Sequence, residues 1–321
     1  MRIAAVIPVR NKADVLERCL GSIVRAAQAY PDTEVIVVDN GSSDGSIEIA
    51  QQFREQCVVI KSSAPRVGAV RNDGARRATD SEVLAFIDCD CEIPADFFVA
   101  VAATLDERGA AAVGCEVVSP ANGHWSERVW DQLHRPGGDG PRHYINSACF
   151  CIRTTWFDAI RGFDEQKTSS EDVDICRRLA AAGGTMWQSE RLAIVHWGNP
   201  QSVAGLFRRI RWHGEGIWEP EKGIQWSVST AATFAYPFVV ASGLGIGATL
   251  IARGDRAGWL YVLVAPLVVP LAFVFARAAQ HRRAVPLIGG VALMLITFHA
   301  RLAGIWRSVV ASRASTPNIN G

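Results

Sequence analysis

The stretch E-V-I-V-V-D-N-G-S-S-D-G, Glu34 to Gly45, decides the fold. Val35 to Val38 form an unbroken apolar, β-branched run, the pattern of a buried strand. The run ends in Asp39 and passes into a Gly/Ser/Asp turn cluster. Ser46 to Glu55 then reads as a helix, in which Ser43 or Asp44 would suit an N-cap.

The same unit repeats on both sides. Ile3 to Val9 is a short apolar run, and Asp14 to Tyr30 carries Val15, Cys19, Leu20, Ile23, Val24 and Ala27 at helical spacing. Cys57 to Lys61 and Glu82 to Asp88 read as further strands, with Val67 to Ala78 as a helix between them. Pro94 opens another helix, as proline does in a first turn. Strands alternating with helices predict an α/β domain with a mostly parallel sheet flanked by helices. In such sheets ligands gather at the carboxyl ends of the strands. Several of these strands end in Asp.

The remainder is a different material. Of 321 residues, 49% are hydrophobic and 20% charged, with a formal net charge of +1. These values exclude a disordered chain, a collagen-like repeat, a disulfide mini-protein and a strongly basic nucleic-acid binder. From Gly223 onward, eight Arg against the single Asp255 give +7, which leaves −6 for the first 222 residues. Val228 to Ala252 and Ala257 to Ala276 are free of formal charge, and Ala284 to Trp306 is interrupted by Arg301. A 25-residue helix is about 37 Å long, enough for a hydrocarbon core of ~30 Å. Two or three spans are expected, at about 228–252, 257–276 and 284–306. The third, with its Arg, could instead lie at the interface. The Arg277 to Arg283 connector holds three Arg and His281, which places it in the cytoplasm by the positive-inside rule. Met1 to Pro8 is too short for a secretory signal, so the front region is expected to stay cytosolic. The expected organisation is a cytosolic catalytic region at 1–222, with an interfacial helix at 203–218, and a membrane region at 223–321. The eight cysteines match no zinc spacing and are expected to be reduced.

Candidate chemistry collects at strand and helix ends. Asp39 could accept hydrogen bonds from a base or ribose. Asp88 and Asp90 lie two apart after a strand, so both could face a hard divalent cation and a diphosphate. Arg66, Gly68, Arg71 and Asn72 lie in a segment whose Arg could pair with phosphate. Glu171 and Asp172 open an apparent helix, where acids cap the positive end or serve as a general base. His196 follows an apolar strand and could complete a metal shell as neutral imidazole. Ser119 to Arg142 is polar and Gly/Pro-rich, and is expected to be a mobile acceptor loop.

Taken in order, seven motifs resemble a family-2 glycosyltransferase of the GT-A fold. They are A-A-V-I-P-V-R-N (4–11), V-I-V-V-D-N-G-S-S-D-G (35–45), R-V-G-A-V-R-N-D-G-A (66–75), F-I-D-C-D (86–90), R-G-F-D-E (161–165), S-E-D-V-D-I-C-R-R (170–178) and V-H-W-G (195–198). The resemblance implies an inverting transferase that moves a sugar from a nucleotide-diphosphate donor, uridine diphosphate being the commonest nucleotide. It implies Pro8, Arg10 and Asp39 in the base pocket, Arg71 near the nucleotide and Asp88 near the ribose or sugar. It implies Mg²⁺ or Mn²⁺ on Asp90, with His196 as a further ligand. Asp172 matches the catalytic base of the Glu-Asp motif, beside Glu171. Gly162, Phe163 and Asp164 would form a sugar or acceptor pocket. R-R-I-R-W-H-G at 208–214 is partly similar to the family's Gln-x-x-Arg-Trp element, with Arg211 toward the diphosphate and Trp212 toward the acceptor. Arg208 stands in the Gln position. The acceptor would be lipid-linked or a cell-envelope glycan next to the cell membrane.

Two other readings are open. A nucleotidyltransferase would carry a Gly-rich N-terminal loop where P-V-R-N-K stands at 8–12. A membrane scaffold with an inactive domain would not need Asp88, Asp90, Glu171 and Asp172 intact.

Overall fold

Seven residues of continuous apolar character, Ile3–Val9, form strand β1, fully buried along its length. The computed structural model describes residues 1–134, 138–219, 223–224, 226–281 and 285–315, with backbone alone at 134, 219, 281 and 311–315. By contacts the chain divides into two compact units. One comprises Met1–Ala121 and Pro136–Asn199, the other Asn122–Arg135 and Pro200–Gly321.

In the first unit β1 leads to helix α1 (Ala13–Ala29), strand β2 (Thr33–Asp39), helix α2 (Ser46–Gln52), strand β3 (Val58–Lys61), helix α3 (Val67–Arg77) and strand β4 (Val83–Ile87). β1 pairs in parallel with β2, from Ile3 opposite Thr33 to Val9 opposite Asp39, and with β4 on its other side. Their carboxyl ends therefore lie along one edge. The alternation of side chains along a strand splits the interior into two layers. Ile3, Ala5 and Ile7 pack with Leu16, Leu20, Ile23 and Phe97 on one face. Ala4, Val6, Ile36, Val38 and Phe86 pack with Phe163, Ile175 and Leu179 on the other. A sheet covered on both faces needs strands apolar throughout, the pattern seen in β1 and β4.

The second half of the sheet is mixed, where a mostly parallel one was expected. Strand β5 (Cys91–Glu92), helix α4 (Phe97–Arg108) and strand β6 (Ala112–Val118) are followed, after the segment that joins the second unit, by strands β7 (Gly140–Arg142) and β8 (Cys149–Arg153). Helices α6 (Thr154–Ala159) and α7 (Glu171–Ala181) precede the long strand β9 (Met186–His196). The sheet order is β3-β2-β1-β4-β8-β6-β9-β5, with β7 also on β9. β8 runs antiparallel to β4 and β6, and β5 antiparallel to β9. The β6·β8 register places Cys115 across from Cys149, and these two form a disulfide. This corrects the expectation of eight reduced cysteines. The pairing joins residues 34 apart that only the sheet brings together. The other six cysteines are free and buried.

The second unit is helical. It comprises α5 (Trp125–His134), α8 (Val203–Glu215), α9 (Val228–Ala252), α10 (Ala257–His281) and α11 (Leu287–Ser315). Within the expected loop at 119–142, Trp125–His134 form helix α5 and Gly140–Arg142 form strand β7. Val129 and Leu133 are buried in a core with Leu206, Ile210, Phe273, Leu293 and Phe298. The catalytic region expected at 1–222 thus contributes α5 and α8 to this unit. Ser202 and Ser227 cap α8 and α9 by accepting the amides of Gly205 and Thr230 at 3.1 and 3.0 Å. Three helices, Val228–Ala252, Ala257–Gln280 and Leu287–Val310, are long and apolar enough to cross a membrane. The third helix continues through Arg301, whose guanidinium donates to the Ser229 hydroxyl. Arg282 and Arg283 of the basic connector lie outside the described residues.

Candidate active site

Asp90 stands directly before β5, and His196 ends β9 opposite Cys91. The amide of Trp197 donates to the Asp90 carbonyl at 2.7 Å, so sheet pairing alone sets carboxylate beside imidazole. His196 Nε2 lies 3.3 Å from Asp90 Oδ1. Lys12, at the start of α1, donates its ammonium to Asp90 Oδ2 at 2.8 Å. Burial raises the Asp90 carboxyl, but His196 and Lys12 outweigh burial and hold it well below the usual carboxylate range. Gly198 closes the far side. A Cβ there would overlap the Asp90 carboxylate, so the backbone comes this close only as glycine.

This group fits a divalent cation. Asp90 Oδ1 is buried and, among the described residues, has no hydrogen-bond partner. Asp90, Cys91 and His196 bring their ligand atoms within 4.8 Å of one another. Cys91 suits the ion poorly, since burial pushes its thiol far up and its Sγ is directed at the Ala148 carbonyl. A hard cation prefers the carboxylate oxygen and accepts imidazole.

Arg71 joins two of the motifs. Its side chain is 2% exposed and donates to Asp88 Oδ1 at 2.7 Å and to Glu171 Oε1 at 2.8 Å. Residues 17 and 100 positions away in the chain thus share one guanidinium. Burial raises the Asp88 carboxyl, Arg71 pulls it back, and Asp90 adds to the rise. Phe163 lies beneath, with the guanidinium 5.5 Å from its ring centroid. At 2% exposure among Phe86, Phe150 and Phe157, Phe163 is a largely buried residue that supports Arg71, and with Gly162 it lines a surface pocket together with Asn72, Phe157 and Glu165. Its neighbour Gly162 has φ +63°, and a Cβ there would lie 2.8 Å from Asn72 Oδ1. Asn72 in turn clasps both the amide and the carbonyl of Phe163. Asp164 accepts the Gln166 amide at 2.9 Å.

Glu171 and Asp172 open α7, yet the acid paired within that helix is Asp174, bound to Arg178 at 2.8 Å. Asp172 is left to accept the Tyr144 hydroxyl at 2.6 Å and the Val173 amide at 2.8 Å. Burial pushes its carboxyl above the usual range, Glu171 adds to the rise, and Tyr144 opposes it. A raised carboxyl is a stronger base, suited to taking a proton near neutrality.

Asp39 is buried and accepts the Gly41 and Ser42 amides at 3.2 and 3.1 Å, which shapes the loop after β2. Pro8 is buried beside it in β1, opposite Val38, while Arg10 is exposed. Arg211 and the half-exposed Trp212 sit on α8, in the second unit. Lys12, Tyr144 and Gly198 were missed from sequence. Lys12 directly follows the motif A-A-V-I-P-V-R-N, Gly198 lies inside V-H-W-G, and Tyr144 follows the Gly/Pro-rich segment 119–142.

Comparison with known proteins bears on this arrangement. Residues 4–160 match the model of glycosyl transferase family 2, and residues 83–278 that of glycosyl transferase family group 2. Glycosyltransferase AglE of Haloferax volcanii is 28% identical over 191 residues, covering 56% of this chain and 62% of that protein. The pre-mycofactocin glycosyltransferase of Mycobacterium tuberculosis is 26% identical over 267 residues, covering 78% and 55%. The chain thus spans less than two thirds of the length of these relatives. Among solved structures, the mannosyltransferase PcManGT from Pyrobaculum calidifontis, in complex with GDP-Man and Mn2+, superposes with a TM-score of 0.66 at 16% identity. It covers 96% of this chain and 87% of its own. TarS residues 1–349 of S. aureus, also solved with UDP, gives 0.51 and 0.50 at 16% identity, covering 96% and 92%. These structures share the GT-A fold with this chain.

Proposed function

The chain belongs to glycosyl transferase family 2, and from that membership and the site we infer that it transfers a sugar, with inversion, from a nucleotide-diphosphate donor to a hydroxyl of a membrane-proximal acceptor. One observation carries this reading. Arg71 ties Asp88, beside the cation site, to Glu171, beside the raised carboxylate. A charge-neutralising centre and a base on one rigid frame are the two parts a single displacement needs.

Asp90 and His196 would hold Mg²⁺ or Mn²⁺, which supplies positive charge to the departing diphosphate. Asp172 takes the proton of the acceptor hydroxyl, and the freed oxygen attacks the anomeric carbon from the side opposite the leaving group. Tyr144 fixes the Asp172 carboxylate through Oδ2. Arg71 orients Asp88 and Glu171 through one guanidinium. Pro8, Arg10 and Asp39, at the ends of neighbouring strands, take the nucleotide, with a uridine diphosphate sugar as the first donor to test. Arg211 and Trp212 are assigned to diphosphate and acceptor, and Gly162 and Asp164 to shaping the sugar pocket. Residues 1–222 carry the chemistry and 223–321 hold it at the membrane, with the catalytic side cytoplasmic. The basic tail and Arg208 to Arg211 suit an anionic lipid surface, which favours a lipid-linked or envelope-glycan acceptor.

The test is Asp172→Asn. Transfer should be lost while nucleotide still raises the melting temperature. Wild-type turnover in this variant would remove Asp172 as the base. A panel of nucleotide sugars screened by thermal shift identifies the donor.

A further inference from the structure

Asp90 already has a cation. The Lys12 ammonium sits 2.8 Å from Oδ2, on a side chain 33% exposed, against a carboxylate 10% exposed. Its backbone is pinned as well, since the Lys12 amide donates to Ser46 Oγ at 2.9 Å and Asn11 adopts φ +51° just before it. The neighbouring amide, Ala13, donates to Asp44 Oδ2 at 3.0 Å. The β1–α1 and β2–α2 loops thus aim this lysine at Asp90. The other carboxylate oxygen, Oδ1, is the one facing His196. Gly198 crowds the Oδ2 side, so a metal taking both oxygens has to move the ammonium aside.

We propose that Lys12 is a tethered counter-ion of Asp90 that competes with the divalent cation for this carboxylate, and that the donor's diphosphate relieves the competition by offering the ammonium new oxygens. The proposal rests on the assignment of Asp90 as a metal ligand. It makes the free protein a weak metal binder and couples metal binding to donor binding. Removing a partner cation a few ångströms away leaves Asp90 a full, unneutralised charge. Near a protein surface that difference is worth about tenfold or more in the affinity for a divalent ion.

The experiment titrates the full-length chain in detergent with MnCl2 alone, following free Mn²⁺ by electron paramagnetic resonance. Lys12→Met should bind Mn²⁺ about tenfold tighter than wild type. Lys12→Arg, which keeps the charge, should stay close to wild type, and its melting temperature reports folding independently. Adding uridine or guanosine diphosphate should tighten Mn²⁺ binding more in wild type than in Lys12→Met. If Asp90→Asn binds Mn²⁺ as well as wild type, the metal assignment itself fails. If Asp90→Asn loses binding but Lys12→Met and wild type bind Mn²⁺ equally, the metal assignment stands and the competition is overturned. Should Lys12→Met not fold, Lys12→Gln serves the same comparison.

Discussion

Replacing Arg71 with Met keeps much of the side-chain volume and removes the charge shared by Asp88 and Glu171. Glu171 is 11% exposed at its side chain and Asp88 30%. Breaking a buried ion pair by deleting one partner costs about 3–5 kcal/mol, because the remaining charge is stranded. Asp88 keeps some solvent, which screens its share, so about 3 kcal/mol is the better figure. For a unit of this size that lowers the melting temperature by about 6–12 °C. The sign with pH follows from the carboxylates. Burial already raises Asp88, and loss of Arg71 removes the group that pulls it back. A carboxyl raised in the folded state contributes most below its unfolded value and loses that contribution as pH rises through its folded value. The gap between Arg71→Met and wild type should therefore be small near pH 4 and widen toward pH 8. Each extra proton held by the folded variant costs about 1.4 kcal/mol per pH unit. Thermal unfolding of both proteins in the same detergent across that range measures it. A variant melting within 2 °C of wild type at pH 8, or a gap independent of pH, would refute the bridge as a structural and electrostatic link.

Tyr144→Phe removes the hydroxyl that opposes the rise of Asp172, so the acidic limb of a kcat/KM–pH profile should move to higher pH; an unmoved limb would detach Tyr144 from the base. Gly198→Ala places a methyl group against the Asp90 carboxylate and should abolish Mn²⁺ binding while circular dichroism stays native. The Asp172→Asn and Lys12→Met variants separate the base from the metal site, the first sparing nucleotide binding and the second strengthening metal binding.

Much of the frame is legible in one dimension. The run Val35 to Val38, the helical spacing through Ile23 and the acids at strand ends place β1 to β4, α1 to α3 and their carboxyl edge within a few residues. The apolar runs at 228–252 and 257–276 correspond to α9 and α10, and the third apolar segment is helical through Arg301. Local signals account for all of these: period, turn chemistry and length. The mixed half of the sheet is different. β8 enters between β4 and β6, and nothing near Cys149 announces that Cys115 is its neighbour. The segment 119–142 reads as a loop because its glycines and prolines outweigh a short amphipathic helix, whose apolar face gains meaning only from the core of the second unit.

The order of the motifs by itself determined the family, the strand-end acids and the apolar tail, because each depends on residues close in sequence. It could not say which acid meets which cation. Arg71 lies 100 residues from Glu171, Lys12 lies 78 from Asp90, and Cys91 is paired with His196 by strand register alone. Tertiary structure also set Phe163 beneath Arg71 and gave Asp172 its partner Tyr144. Such choices are made by burial and electrostatics acting across the sheet. A buried charge must find its counter-charge in space, and distance along the chain sets no limit on where that partner lies.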